Sequence, residues 1–147
     1  MRRFRFSLER VLQVAALRER LATQEFAAAM RRLAEERAGL NAAEARRRRA
    51  QDELDRQTRG VIETTAALFT AGYIRALTVE IDDRRVRAAE AARAAEEKRQ
   101  ALLAQMKARK ALERLRERRL AEYQAEVLRE EQRDIDEMAQ QIRARQQ

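Results

Sequence analysis

Apolar residues return every seven positions through the first half of the chain. Phe26, Leu33, Leu40, Leu54, Val61 and Leu68 share one position of the repeat, with Arg47 the single polar intruder, and Ala29, Ala43 and Ala50 follow three residues later. A period of 3.5 residues sustained over this many heptads predicts a coiled-coil seam, because a lone globular helix follows 3.6. In the second half Ile81, Ala88, Ala95 and Leu102 hold the same spacing with Ala92 and Met106 between them. Leu112, Leu115, Leu120, Tyr123 and Val127 come next, and Leu128, Ile135, Met138 and Ile142 finish. The register shifts between Leu112 and Leu120, as a stutter produces.

Helix ends are also marked. Ser7 is placed to act as N-cap, Glu9 sits in the positive first turn, and Phe6 and Val11 occupy the two positions of a hydrophobic staple, so the first helix is expected from Leu8. The stripe fades after Leu68 and Phe69, where Gly72 interrupts the period. Thr78 then precedes Glu80, Asp82 and Asp83, a cap followed by an acidic turn. The predicted fold is all-α, a long antiparallel two-helix coiled-coil hairpin forming a single elongated domain over 1–147. Its helices are expected at 8–69 and 79–143, with the turn at 70–78. Two helices of about 60 to 65 residues make a rod on the order of 90 to 100 Å long. The alternative is one continuous helix that dimerises along its length, but such a helix has no use for a cap in its middle. Leu33, Leu40, Leu54, Val61, Leu102, Met106 and Leu112 are the expected seam. The alanines from Ala88 to Ala95 allow close approach, although a coil this thin is marginal alone and a partner is expected to add burial.

Composition narrows the function. The 147 residues are 39% charged and 4% aromatic, without Pro, Cys or His and with only three glycines. That vocabulary favours helix over strand and opposes a thick globular core. Without Cys and His there are no disulfides, no thiolate or imidazole metal ligands and no triad base, so catalysis is not expected and no cofactor or metal is implied. The carboxylates Glu130, Glu131, Asp134, Asp136 and Glu137 are not spaced as a calcium loop. The N-terminal stretch is basic and partly apolar, but Glu9 and Arg10 interrupt it, so neither a secretory signal nor a membrane span is read there and a cytoplasmic location is expected. The net charge of +8 is interspersed along the chain, which suits a solvated helical surface or an acidic partner better than specific nucleic-acid binding.

Three stretches are candidate partner surfaces. Arg46 to Arg49 wrap around a helix and read as a solvated face, an acidic partner's ligand or, least well, a nucleic-acid contact. The segment Lys107–Arg119 carries seven basic residues against Glu113 and Glu117. Its members can be ordinary surface pairs, or as a set can enter a carboxylate-lined channel where guanidinium groups make forked contacts. Phe69, Tyr73, Ile74 and Leu77 gather around the expected turn, where they either fold against the tip or present a docking surface. Phe4 and Phe6 are expected to close the open end near Met138 and Ile142.

The opening FRFSLERVL together with the closing KALERLRERRLAEYQAEVLREEQRDIDEMA resembles the FliJ family, small stalk proteins of the bacterial flagellar type III export apparatus, and the resemblance covers essentially the whole chain. Phe4, Phe6, Leu8, Val11 and Leu12 match the family's start. Lys110, Leu112, Glu113, Leu115, Tyr123, Gln132, Asp136 and Glu137 match its end. The resemblance implies a coiled coil similar to the central stalk of rotary ATPases, entering the hexameric flagellar export ATPase by its terminal end. It also implies contacts with the cytoplasmic linker of the export-gate membrane protein and with export chaperones, at the inner-membrane flagellar basal body. On this reading Lys110, Arg114, Arg116, Arg118, Arg119 and Tyr123 are expected to meet the ATPase, and Tyr73, Ile74, Leu77 and Ile81 the export gate. The equivalent stalk of a virulence type III secretion system, a coiled-coil scaffold without an ATPase partner, and a helical hairpin that binds RNA or DNA remain the alternatives.

Overall fold

A computed structural model describes residues 3–61 and 63–146. Two helices account for most of them: α1, Glu9–Gln57, and α2, Thr64–Arg145. They run antiparallel as a helical hairpin, and no strand occurs among the described residues. The chain divides into two units, one comprising Leu21–Leu102 with the turn, the other Met1–Arg20 with Leu103–Gln147.

In α1 the seven-residue repeat works as read. Ala22, Leu33, Ala43 and Ala50 are buried, and Phe26, Ala29, Leu40 and Leu54 are half-buried between them. Facing them in the same unit, Thr70, Leu77, Ile81, Ala91 and Ala95 are the buried positions of α2. Leu33 packs with Ala91 and Ala95, and Ala29 and Ala92 close over that cluster. Alanine dominates the buried set, so the seam gains little area per layer and depends on short methyl-to-methyl approach and on the stems of flanking Arg, Lys and Glu. Leu77 and Ile81, 2% and 0% exposed, are the exception and carry the largest fully buried side chains.

The turn lies earlier than expected, between Gln57 and Thr64. α1 stops where the Thr58 hydroxyl and amide both donate to the Leu54 carbonyl, at 3.0 Å each, and Gly60 takes a left-handed φ of 81°. Only glycine adopts that conformation without steric cost. Across the tip the Thr70 hydroxyl donates to Gln57 Oε1 at 2.9 Å. Gly72 lies inside α2. Thr78 is no cap either: its hydroxyl folds back on the Ile74 carbonyl at 2.9 Å, a bond that lets threonine sit within a helix. The helices are therefore unequal, 49 and 82 residues. Val61, expected in the seam, is instead fully exposed in the turn, and Leu68 faces solvent from the first turns of α2.

Within the terminal unit Ala15 is buried, Leu8, Leu12, Gln105, Leu112, Leu120 and Tyr123 are half-buried, and the Phe4 ring lies tilted against that of Tyr123 with centroids 5.6 Å apart. Phe4 thus meets α2 about four turns before Met138 and about five before Ile142, the positions expected to receive it. Beyond Val127 every described residue of α2 is exposed.

Ionic contacts supplement the thin seam. Lys98 to Glu25 at 2.8 Å, Arg85 to Glu44 at 3.3 Å and Arg46 to Glu80 at 2.9 Å cross between helices in the unit with the turn. Arg109 to Glu19 and Arg116 to Glu9 at 3.2 Å do so in the other. Donors on the same helix and across the seam hold some carboxylates below their ordinary range. Hydrogen bonds from Arg99 and then Gln100 pull Glu96 down to about 2, and those from Arg84 and then Arg46 lower Glu80. A depressed carboxylate stabilises the fold above its unfolded value, 4.5 here, and that contribution disappears as pH falls through the folded value. With no histidine to titrate between, the melting midpoint is expected to be flat from about pH 8 to 5 and to fall between about 4.5 and 2, as followed by circular dichroism.

Candidate functional site

The grooves between the helices are open and shallow. One is floored by Ala28, Ala29, Ala91 and Ala94 and walled by Glu25, Arg32, Arg87 and Lys98. Among the described residues no group of three or more carboxylates is placed to hold a metal ion, and no helix is long and apolar enough to cross a membrane. The chemistry on offer is that of a surface, and two stretches of it are distinctive.

The first is basic. Of the seven cations in Lys107–Arg119, helical periodicity sends two toward α1: Arg109 bonds Glu19 and Glu113, and Arg116 bonds Glu9. The two hydrogen bonds that Arg109 donates, that to Glu19 foremost, raise its already high pKa, so it stays a fixed cation within the interface. Arg119 pairs along its own helix with Glu122 at 3.5 Å. Lys107, Lys110, Arg114 and Arg118 remain. Their spacing of three, four and four residues aligns them on one face of α2, away from the seam. All four are exposed, and none has an ion-pair partner among the described residues; Glu117 beside them is unpaired as well. Their ammonium and guanidinium groups meet no carboxylate among the described residues.

Of the residues expected to meet an ATPase, Lys110, Arg114 and Arg118 therefore lie on this free stripe, and Lys107 joins them. Arg116 and Arg119 carry intramolecular partners, and Tyr123 is half-buried under Phe4.

The second stretch is apolar, at the start of α2. Phe69 is 81% exposed and Leu68 64%, while Tyr73 is partly open. Phe69 and Tyr73 edge a groove with Arg46, Arg49, Ala50 and Glu53 of α1. The gate-contact residues expected from the sequence divide sharply here. Tyr73 faces solvent, Ile74 is half-buried, and Leu77 and Ile81 are core. The last two cannot reach a partner while the hairpin is closed, because the turn ends before Thr64 and they are already on the seam face. Phe69 carries the exposure they lack.

The family model of the flagellar FliJ protein matches residues 4–147. No curated protein matches the chain. Among solved structures, a putative YscO homolog, CT670 from Chlamydia trachomatis, is similar with a TM-score of 0.55 and 22% sequence identity, covering 95% of each chain. That likeness is one of fold. With the family match spanning both helices and the turn between them, the chain belongs to the flagellar FliJ protein family.

Proposed function

We propose that this protein is a non-catalytic stalk of the flagellar type III export machinery, acting by contact with a hexameric export ATPase at the cytoplasmic side of the inner membrane. The observation that carries the proposal is the unpaired stripe Lys107, Lys110, Arg114 and Arg118 on a hairpin of this family. Cations left without intramolecular partners are free to meet carboxylates, and a stripe on one side of a helix offers an asymmetric surface to similar subunits of a ring. Contacts that differ between ATPase states bias those states, and this is how a stalk without chemistry of its own promotes assembly and hydrolysis.

The family resemblance also suggests a link to the cytoplasmic segment of the export-gate protein. The exposed aromatic surface of Phe69 and Tyr73, with Leu68 beside them, suits that role where Leu77 and Ile81 do not. Export chaperones are further partners on the same reading. The unreacted alternative is a scaffold that meets no ATPase.

Steady-state ATP hydrolysis by the cognate ATPase, titrated with this protein while complex size is followed, tests the proposal. Stimulation accompanied by hexamer formation is the expected result. Absence of both binding and stimulation would leave the scaffold as the better account.

A further inference from the structure

The positive excess of the chain is concentrated in its terminal unit. Residues 1–20 and 103–127 hold 13 Lys and Arg against six Asp and Glu, so +7 of the net +8 lies there. Five of those six carboxylates are already engaged: Glu9 by Arg116, Glu19 and Glu113 by Arg109, Glu122 by Arg119 and Glu126 by Arg129. Little negative charge is left over for the other cations of this unit.

Between the two helices of the same unit runs an open groove lined by Val11, Val14, Ala15, Ala108 and Leu112, with the exposed Arg10 and Arg18 beside them. Val11 and Val14 are half open to solvent. Neither arginine has an ion-pair partner, and no carboxylate lines the groove, among the described residues. An uncovered apolar strip flanked by unneutralised cations is complementary to an apolar strip flanked by carboxylates.

The walls also decide the form of the occupant. Both are helices whose backbone groups bond within themselves, so an extended segment finds no ladder to join, whereas a helix satisfies its own backbone and needs none. The small side chains of Ala15 and Ala108 admit a third helix closely. From Arg10 to Arg18 is about 12 Å, or two turns.

We propose that this groove binds one amphipathic helix of an acidic partner protein. The apolar residues of that helix pack on Val11, Val14 and Leu112, and two of its carboxylates, about two turns apart, meet Arg10 and Arg18. Ala108 and Leu112 lie on a different side of α2 from the basic stripe, so the proposal goes beyond the export-ATPase reading and does not depend on it.

Fluorescence anisotropy with the full chain tests it. The probe is a helix-stapled peptide of about 16 residues, apolar at i, i+3 and i+7, with two glutamates about two turns apart along the margin of that strip; its counterpart carries lysine in their place. The acidic peptide should bind at low salt with a dissociation constant on the order of 10 to 100 μM, at least about tenfold tighter than the basic one. Arg10→Glu with Arg18→Glu should weaken it at least about tenfold. Arg31→Glu with Arg37→Glu makes the same change in net charge in the other unit and should alter affinity less than about twofold. Val14→Asp should weaken binding comparably to the first pair with helicity unchanged, since the side chain is half open in the free chain. Equal binding of the two peptides, equal losses in the two arginine pairs, or native affinity after Val14→Asp would each overturn the proposal. It would fail equally if the chain bound neither peptide but floated with phosphatidylglycerol vesicles, which would make the occupant a lipid surface, or doubled its mass through Arg10 and Arg18, which would make it a second copy.

Discussion

Reversal of Lys107, Lys110, Arg114 and Arg118 to Glu is expected to lower affinity for the export ATPase on the order of a hundredfold at low salt and to abolish stimulation of hydrolysis. Individual exposed charge pairs contribute little, but four aligned cations act together and also steer encounter. Each reversal removes two units of charge, so four take the net charge from +8 to 0. A control is therefore needed in which the same charge is removed elsewhere. Reversing Arg31, Arg37, Arg48 and Arg93, which lie in the other unit, has the same effect on net charge and should leave most of the affinity in place. Glutamate is as good a helix former as arginine or lysine, so circular dichroism should be unchanged in both variants. Equal losses in the two would reduce the stripe to a general electrostatic attraction. No loss in the first would remove it from the interface.

Ile81→Ala is expected to destabilise the hairpin by about 2 to 4 kcal/mol, the range for deleting a fully buried branched side chain. Ile81 is 0% exposed, and the seam around it has only two helices to close over a gap. In a seam this thin, that loss should appear as a large drop in thermal midpoint with no partner present. Val79→Ala, two residues away and 71% exposed, should change stability by less than about 0.5 kcal/mol. The comparison separates two explanations for any loss of export-gate binding in an Ile81 variant. If Ile81→Ala melts as the native protein does, the side chain is not the packing centre described above.

The repeat in α1 was legible because its apolar residues were frequent enough to fix a phase: Phe26, Leu33, Leu40 and Leu54 leave little choice of face. The turn was not, because the phase runs on by coincidence through Val61 and Leu68, one in the loop and one on the outer side of α2. Two glycines competed to mark the break. Gly60 follows Arg56, Thr58 and Arg59 at a helix end and supplies the left-handed residue, whereas Gly72 interrupts only composition. Thr78 imitated a cap because threonine's hydroxyl can serve either an N-terminus or the carbonyl one turn back, and the local sequence does not distinguish them. With the turn between Gln57 and Thr64 rather than at 70–78, Leu77 and Ile81 fall within α2 and into the core. The basic stripe was legible only in part: Lys110, Arg114 and Arg118 were expected on a partner surface, but so were Arg116 and Arg119, and Lys107 was not. Applying helical periodicity to Lys107–Arg119 separates Arg109 and Arg116 from the other cations before any contact is known.

The bond from Thr70 to Gln57 spans only 13 residues of sequence, while that from Arg116 to Glu9 spans 107. Closing the longer loop from an open chain costs about 2 kcal/mol more in entropy than closing the shorter one. Once the turn has formed, each further cross-helix pair need only add the few residues that separate it from its predecessor. Refolding is therefore favoured to begin beside Gly60 and to spread toward the termini, as a zipper does. A substitution at Gly60 that resists the left-handed conformation would slow that first closure, and with it every pairing step that follows.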